Sequence, residues 1–173
     1  MQIQVAEIPE EGMQVDVDDV SWFPGREVSR KGDLRASVHL TRSGERILAS
    51  GSISLILVLA CDRCLQEFAE PKKIDFQLVF ELSGEDPALE QKEYECDQGE
   101  MDTVFLEKPV IDLSAVLYQQ LILALPQSSL CREECLGLCR ICGQNLNLED
   151  CGCVREETSS PFKGLGQLLK DKK

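Results

Sequence analysis

Six cysteines lie within 23 residues near the C-terminal end of the chain, and this clustering limits the available folds more than any other feature. Their spacing is Cys131-x3-Cys135-x3-Cys139-x2-Cys142-x8-Cys151-x-Cys153. The segment contains few large apolar side chains, so it cannot form a hydrophobic core by itself. We therefore expect a bound metal ion to supply the folding free energy of this segment.

Cys139 and Cys142 have the spacing of a zinc knuckle, in which two thiolates two residues apart hold one ion from a tight turn. The next residue, Gly143, permits the positive φ that such a turn requires. Cys151 and Cys153 provide a second pair that completes a tetrahedron of four sulfurs. Soft thiolate ligands in tetrahedral geometry favour zinc. The alternative interpretation is that these cysteines are reduced free thiols or disulfides.

A separate pair, Cys61 and Cys64, follows the longest predicted strand with the spacing C-x-x-C. This spacing occurs in metal knuckles, redox dithiols and unliganded structural thiols, and all three interpretations stay open. A redox pair normally lies at a helix N-terminus, where the dipole lowers the thiol pKa, whereas this pair follows a strand. Because Cys131 and Cys135 remain after the first tetrad is assigned, we hypothesise that they join Cys61 and Cys64 in a second zinc site. The ninth cysteine, Cys96, is predicted to be an exposed free thiol.

The cysteine count also bears on the cellular compartment. Nine is an odd number, and the N-terminus has no basic leader followed by an apolar run, so a secreted disulfide framework is not expected. The longest apolar run, over 53–60, is far shorter than the about 20 residues that a membrane-spanning helix needs. We therefore expect a cytoplasmic protein with no membrane partner.

The chain is strongly acidic, with a formal net charge of −13. Ten acidic residues and one lysine lie between Glu81 and Glu107, whereas the last eleven residues, 163–173, hold four lysines and one aspartate. Phosphate backbones repel an acidic surface, so RNA binding by the whole protein is not expected, and the tail is the segment best suited to it. The acidic surface suits a basic partner. The single histidine, His39, argues against a histidine-based catalytic triad.

Alternating apolar and polar residues predict three strands, over 34–41, 46–60 and 73–81. The second half of 46–60 is apolar at both parities, which is typical of a central or doubly covered strand. Short connections, such as the turn at Gly44, favour an antiparallel sheet or a small barrel. The acidic, unpatterned stretch over 83–103 is expected to be a mobile loop.

A helix is expected after this stretch. Asp112 is a suitable N-cap, apolar residues then recur at three- and four-residue steps, and Pro126 ends the pattern. The predicted fold class is α+β and β-rich: an antiparallel sheet or small barrel covered by one helix, with a C-terminal cysteine-rich zinc-knuckle module. The predicted domains are a β-rich domain over 1–126 and a zinc-binding module with a basic tail over 127–173. Within the tail, Phe162–Lys170 has apolar residues at helical spacing.

Five short motifs stand out together along the chain. They are Cys61-Asp-Arg-Cys64-Leu, Leu121-Ile-Leu-Ala-Leu-Pro126, Cys135-Leu-Gly-Leu-Cys139-Arg-Ile-Cys142-Gly-Gln-Asn145-Leu-Asn147, Cys151-Gly-Cys153 and Pro161-Phe-Lys-Gly-Leu. This set resembles the YceD family of bacteria and plastids, whose members are called large ribosomal RNA subunit accumulation proteins. The resemblance extends roughly from Leu34 to Lys170, although proline is frequent in the family at the position of Arg140. It implies a role in making or maintaining large-subunit (23S) rRNA.

Zinc binding is inferred from the residues, whereas the connection to rRNA is implied by the resemblance alone. Together they predict a ribosome biogenesis factor that is not an enzyme and acts as a zinc-stabilised acidic adaptor. Its expected partner is a basic ribosomal protein or a large-subunit assembly factor, with the C-terminal tail as a candidate contact for rRNA. Two alternatives stay open: a metal-dependent RNA-processing enzyme that uses acidic residues with magnesium, and a thiol redox or zinc-sensing protein.

Overall fold

The computed structural model describes residues 1–82 and 103–153. The chain separates into two compact units. Unit 1 comprises Met1–Ala60 and Glu67–Ser129, and unit 2 comprises Cys61–Gln66 and Leu130–Lys173. Unit 2 is therefore discontinuous in sequence. The predictions of a mobile acidic loop, of a free thiol at Cys96 and of a helical tail segment lie outside the described residues.

Unit 1 contains the regular secondary structure of the described residues. Its elements are β1 (Gln2–Gln4), a 3-10 turn (Val5–Glu7), β2 (Met13–Val17), β3 (Ser29–Ser43), β4 (Arg46–Ala60), β5 (Glu67–Leu82), β6 (Thr103–Leu106), β7 (Val110–Asp112) and α1 (Leu113–Leu123). Five strands form an open sheet in the order β2-β3-β4-β5-β6, and β1 pairs with β7 in a separate two-stranded sheet. The pairs are antiparallel except for β5 and β6, which run parallel.

The three long strands follow the alternation in the sequence. Val38, Leu40, Ile47 and Ile53 are fully buried on one face of the sheet, because side chains two residues apart point to the same side of a strand. β4 lies in the middle of the five strands, which confirms the prediction of a central strand. Its second face is not closed over, since Ile56 is exposed.

Gly51 of β4 allows a large side chain to lie across the sheet. It is paired with Phe76 of β5, and a Cβ atom at position 51 would collide with the Phe76 ring. The same Cβ would come within 2.9 Å of the Ser37 carbonyl oxygen in β3, a backbone atom with little freedom to move. Glycine is therefore required at this position by packing on two neighbouring strands.

The helix α1 completes the hydrophobic core. The Asp112 carboxylate accepts hydrogen bonds from the backbone N–H groups of Ser114 and Ala115, at 3.0 and 3.3 Å, which confirms the predicted N-cap. Leu117 and Leu121 are fully buried in the same core cluster as the sheet residues. These observations confirm a β-rich fold with one covering helix. None of the helices among the described residues has the length and apolar character to cross a membrane.

Candidate metal centres

The described residues contain two groups of four cysteines whose sulfur atoms lie within 4.8 Å of one another, and both groups belong to unit 2. We call them site 1 and site 2. Site 1 consists of Cys61, Cys64, Cys131 and Cys135. Site 2 consists of Cys139, Cys142, Cys151 and Cys153. Site 2 is the set that the spacing in the sequence indicated, and site 1 is the set that was hypothesised by elimination, while zinc as the bound metal stays a prediction.

The sulfur positions of site 1 fit a tetrahedral metal ion and do not fit disulfides. In site 1, the Cys61 and Cys135 sulfurs are 3.8 Å apart, and so are those of Cys64 and Cys131. A tetrahedron with metal–sulfur bonds of about 2.3 Å has edges of about 3.8 Å. A disulfide would need about 2.05 Å. The donor set of four soft thiolates, with no other ligand type, is suited to zinc.

Two turns of the same design hold one pair of cysteines in each site. In site 2, the Cys139 N–H donates to the Gln144 carbonyl at 2.8 Å, and the Gly143 N–H donates back to the Cys139 carbonyl at 2.9 Å. Gly143 has a φ of 76°, which glycine adopts without strain. The turn predicted from Cys139, Cys142 and Gly143 therefore has the knuckle geometry.

The Cys61–Gln66 turn repeats this design in site 1. The Cys61 N–H donates to the Gln66 carbonyl at 2.9 Å, and the Leu65 N–H donates to the Cys61 carbonyl at 2.8 Å. Leu65 stands where the site 2 turn has Gly143, and its φ is 59°. Its side chain is two-thirds exposed. A left-handed leucine costs about 1–2 kcal/mol. The turn is adopted despite this strain, which argues that the surrounding contacts fix it.

Arg63 connects this turn to the segment that carries the other half of site 1. Its guanidinium donates to the carbonyl oxygens of Glu133 and Cys135, at 3.2 and 3.0 Å. Its own carbonyl accepts from the Leu138 N–H at 3.2 Å. Sequence analysis did not single out this residue. Its position between Cys61 and Cys64 is the one signal that could have identified it.

Asn147 is a second residue that sequence analysis did not assign to a site. Its side-chain amide donates to the Cys135 sulfur at 3.3 Å, and its side-chain oxygen accepts from the Leu136 N–H at 2.9 Å. A hydrogen bond to sulfur favours the thiolate over the thiol. Metal-bound cysteines commonly have such outer partners, which orient the sulfur.

The thiols of site 1 differ strongly in acidity. The backbone N–H of Cys131 is the main cause that lowers the pKa of Cys61 to about 6. Burial, together with neighbouring thiols such as that of Cys135, raises the pKa of Cys131 to about 12. The Cys135 pKa is raised by burial, but hydrogen bonds led by that of Asn147 outweigh burial and lower it. Because like charges oppose complete ionisation, all four thiolates need a cation among them.

Site 2 shows the same division. Backbone N–H groups, first that of Cys142 and then that of Ile141, lower the pKa of Cys139 to about 6. The neighbouring thiols of Cys142 and Cys151 raise the pKa of Cys153 to about 12. A metal ion must therefore displace protons from the less acidic thiols of each site when it binds.

The interior of unit 2 depends on these cysteines. In the described part of unit 2, the buried hydrophobic side chains are Cys61, Cys64, Cys135 and Cys139. The core cluster of leucine, isoleucine, valine and aromatic side chains draws its buried members from unit 1. A segment of this size without an apolar core requires another source of stability. Metal binding at the two sites can provide it.

The chain is similar in sequence to several known proteins. Residues 49–169 match the family model described as Large ribosomal RNA subunit accumulation protein YceD. A chloroplast protein of Arabidopsis thaliana, named as a homologue of that protein, is 26% identical over an alignment of 154 positions that covers 78% of this chain and 48% of the relative. The corresponding chloroplast protein of Zea mays is 28% identical over 75% of this chain and 52% of the relative.

An uncharacterized protein of Mycobacterium tuberculosis is 31% identical over 127 residues, which are 72% of this chain and 56% of the relative. The chain thus spans about half the length of the curated relatives it matches. No solved structure gives a significant match.

Proposed function

Because the chain belongs to the YceD family, we propose that it supports the accumulation of large-subunit (23S) ribosomal RNA as a ribosome biogenesis factor. Its curated plant relatives carry that role in their names. We further propose that it acts without catalysis, as an adaptor whose binding unit is stabilised by zinc and which holds a basic ribosome-associated partner. The free thiols suit a reducing compartment such as the cytoplasm.

The dependence of unit 2 on cysteine is the observation that carries the proposal of a zinc-stabilised, non-catalytic protein. Four thiolates per ion leave no open coordination position for water or substrate, which is the arrangement of structural rather than catalytic zinc. In the described part of unit 2 the buried hydrophobic residues are cysteines, so folding and metal binding are one process. Zinc in this protein therefore acts as a structural support.

The surface of unit 2 supports a binding role. Four large apolar side chains of this unit are at least 60% exposed: Leu65, Leu136, Ile141 and Leu148. When a partner covers exposed leucine and isoleucine side chains, apolar surface is removed from water, and this favours binding. The strained backbone of Leu65 supports the same conclusion, because residues in strained backbone conformations cluster at binding and catalytic sites.

The charge of the chain supports a basic partner. The net charge is −13, and ten acidic residues stand against one lysine between Glu81 and Glu107. A charge of this size speeds the encounter with a basic protein and repels bare phosphate backbones. The lysines of the C-terminal tail are the part of the sequence suited to rRNA.

Neutralisation of the acidic segment tests the adaptor. The variant replaces five acids of that segment, which lies outside the described residues: Glu90→Gln, Glu93→Gln, Glu95→Gln, Asp97→Asn and Glu100→Gln. A matched control removes five exposed charges from unit 1: Glu10→Gln, Glu11→Gln, Asp33→Asn, Glu45→Gln and Glu67→Gln. Affinity purification from cells at two salt concentrations, with identification of proteins and RNA, is the measurement. Exposed charges are screened beyond about 8 Å at physiological salt, so the expected partner binding is salt-dependent.

We expect the first variant to lose the basic partner while it keeps the zinc content of the unaltered protein, and the control to retain both. Removal of Lys170, Lys172 and Lys173 is expected to reduce rRNA recovery and to leave the protein partner bound. If the variant with the neutralised acidic segment recovers the same partners with the same salt dependence as the unaltered protein, the acidic-adaptor proposal is wrong.

A further inference from the structure

Asn147 belongs to the loop of one site and touches a sulfur of the other. It lies in the eight-residue stretch 143–150 that separates Cys142 from Cys151, two cysteines of site 2. Its amide nitrogen is 3.3 Å from the sulfur of Cys135, a cysteine of site 1. The loop that site 2 closes therefore contributes a direct hydrogen bond to site 1.

Further hydrogen bonds hold the Asn147 side chain in place. Its oxygen accepts hydrogen bonds from the Leu136 N–H at 2.9 Å and from the Arg132 guanidinium at 2.7 Å. Its backbone N–H and its amide nitrogen donate to the Asn145 side-chain oxygen, at 2.9 and 2.8 Å. With both sides of the amide engaged, the nitrogen is held facing the Cys135 sulfur.

The loop is also tied to the segment that runs from Cys135 to Cys139. The Leu146 N–H donates to the Gly137 carbonyl at 2.9 Å, and Leu138 pairs with Asn145 in an isolated β-bridge. A metal ion in site 2 fixes both ends of the loop, because Cys142 and Cys151 are then held on one ion. Fixing the ends places Asn147 against Cys135.

We propose that Asn147 couples the two metal sites, so that metal binding at site 2 tightens metal binding at site 1. Asn147 is a positioning residue, because it acts on the metal through the Cys135 thiolate. An N–H donor stabilises the ionised sulfur that the metal requires. By linkage, occupancy of site 1 tightens site 2 by the same factor. The inference rests on the metal-binding part of the proposed function.

The variant Asn147→Asp tests the side-chain donor. It keeps a side-chain oxygen for Leu136 and Arg132, and it replaces the NH2 group that donates to Cys135 and to Asn145 by a second oxygen. Gln127→Glu is the matched control, since it makes the same change of group at an exposed side chain of unit 1. Cadmium-113 NMR of the full chain, with a competing chelator, measures the two sites separately. The variants Cys61→Ser/Cys64→Ser and Cys142→Ser/Cys151→Ser assign the two resonances.

We expect site 1 of the unaltered protein to bind cadmium at least about 10-fold more tightly than site 1 of the Cys142→Ser/Cys151→Ser variant, the size of effect usual for an outer partner of a metal ligand. Asn147→Asp should remove that difference and shift the site 1 resonance, and Gln127→Glu should do neither. In native mass spectrometry at half-saturating cadmium, the unaltered protein should favour the doubly loaded form, and Asn147→Asp should give statistical loading.

Equal site 1 affinity with and without site 2 would overturn the coupling, as would statistical loading of the unaltered protein. An equal loss from Asn147→Asp in both backgrounds would also overturn it, because the residue would then serve site 1 independently of site 2. Failure of either site to bind cadmium would overturn the zinc-stabilised unit itself, which distinguishes that outcome from a failure of coupling alone.

Discussion

Replacement of Arg63 by alanine should weaken metal binding at site 1. The substitution removes two hydrogen bonds from the guanidinium, to the Glu133 carbonyl at 3.2 Å and to the Cys135 carbonyl at 3.0 Å. It leaves the backbone contact between Leu138 and Arg63 in place, because alanine keeps the carbonyl group. The loss therefore falls on the segment that carries Cys131 and Cys135.

The magnitude follows from the number and setting of the lost bonds. One bond is exposed and the other half-buried, so each contributes about 1 kcal/mol. Because folding of unit 2 and metal binding are linked, the sum of about 2 kcal/mol appears as metal affinity, a loss of about 30-fold. The affinity of site 2 should change less than that of site 1.

Competition with a chromophoric chelator measures the zinc affinity, and hydrogen exchange of the amides over 131–138 locates the change. Arg140→Ala is the control, since it removes the same charge from an exposed position in unit 2. Site 1 affinity within about threefold of the unaltered protein, with unchanged exchange over 131–138, would refute the argument that Arg63 holds the two halves of the site together.

Two further predictions concern pH and the sheet. Because the pKa values of Cys64 and Cys131 in site 1, and of Cys151 and Cys153 in site 2, are raised, these thiols carry protons in the metal-free protein at neutral pH. Zinc must displace these protons, so at least two protons should be released per ion and affinity should fall as the pH is lowered. An indicator dye in weak buffer measures the release, and no proton release would contradict the assignment. Gly51→Ala should lower the free energy of unfolding of unit 1 by about 1–3 kcal/mol through overpacking against Phe76, measured by urea denaturation with excess zinc. Ser50→Ala on the same strand is the control, and equal stability of both variants would show that the ring moves aside freely.

The sequence predicted the features that depend on near neighbours along the chain. The alternation over 34–41, 46–60 and 73–81 identified the three long strands, because side-chain direction in a strand repeats every two residues. Asp112 was identified as the helix cap from the pattern that follows it. Cys139, Cys142 and Gly143 predicted a knuckle because its hydrogen bonds close within six residues.

Shorter and more distant pairings could not be predicted in this way. β1, β6 and β7 have three or four residues each, too few for a period to be recognised. β6 also runs parallel to β5, the one parallel pair of a sheet that the sequence predicted as antiparallel or as a small barrel. A parallel pair needs a long connection between its strands, so the residues next to a strand in the sequence do not show whether its neighbour in the sheet runs parallel or antiparallel.

The metal centres show the same difference between local features, which the sequence predicts, and distant contacts, which it does not. The sequence by itself determined which residue types could hold zinc and, through local spacing, that Cys139 and Cys142 form one turn. Cys61 meets Cys135 across 74 residues and Cys64 meets Cys131 across 67, so their grouping was a hypothesis by elimination until the fold placed the sulfurs 3.8 Å apart. The roles of Arg63 and Asn147 became visible only in the tertiary structure. An arginine or asparagine becomes part of a site only when the folded backbone brings a carbonyl or a sulfur within reach, and no periodicity along the chain carries that information.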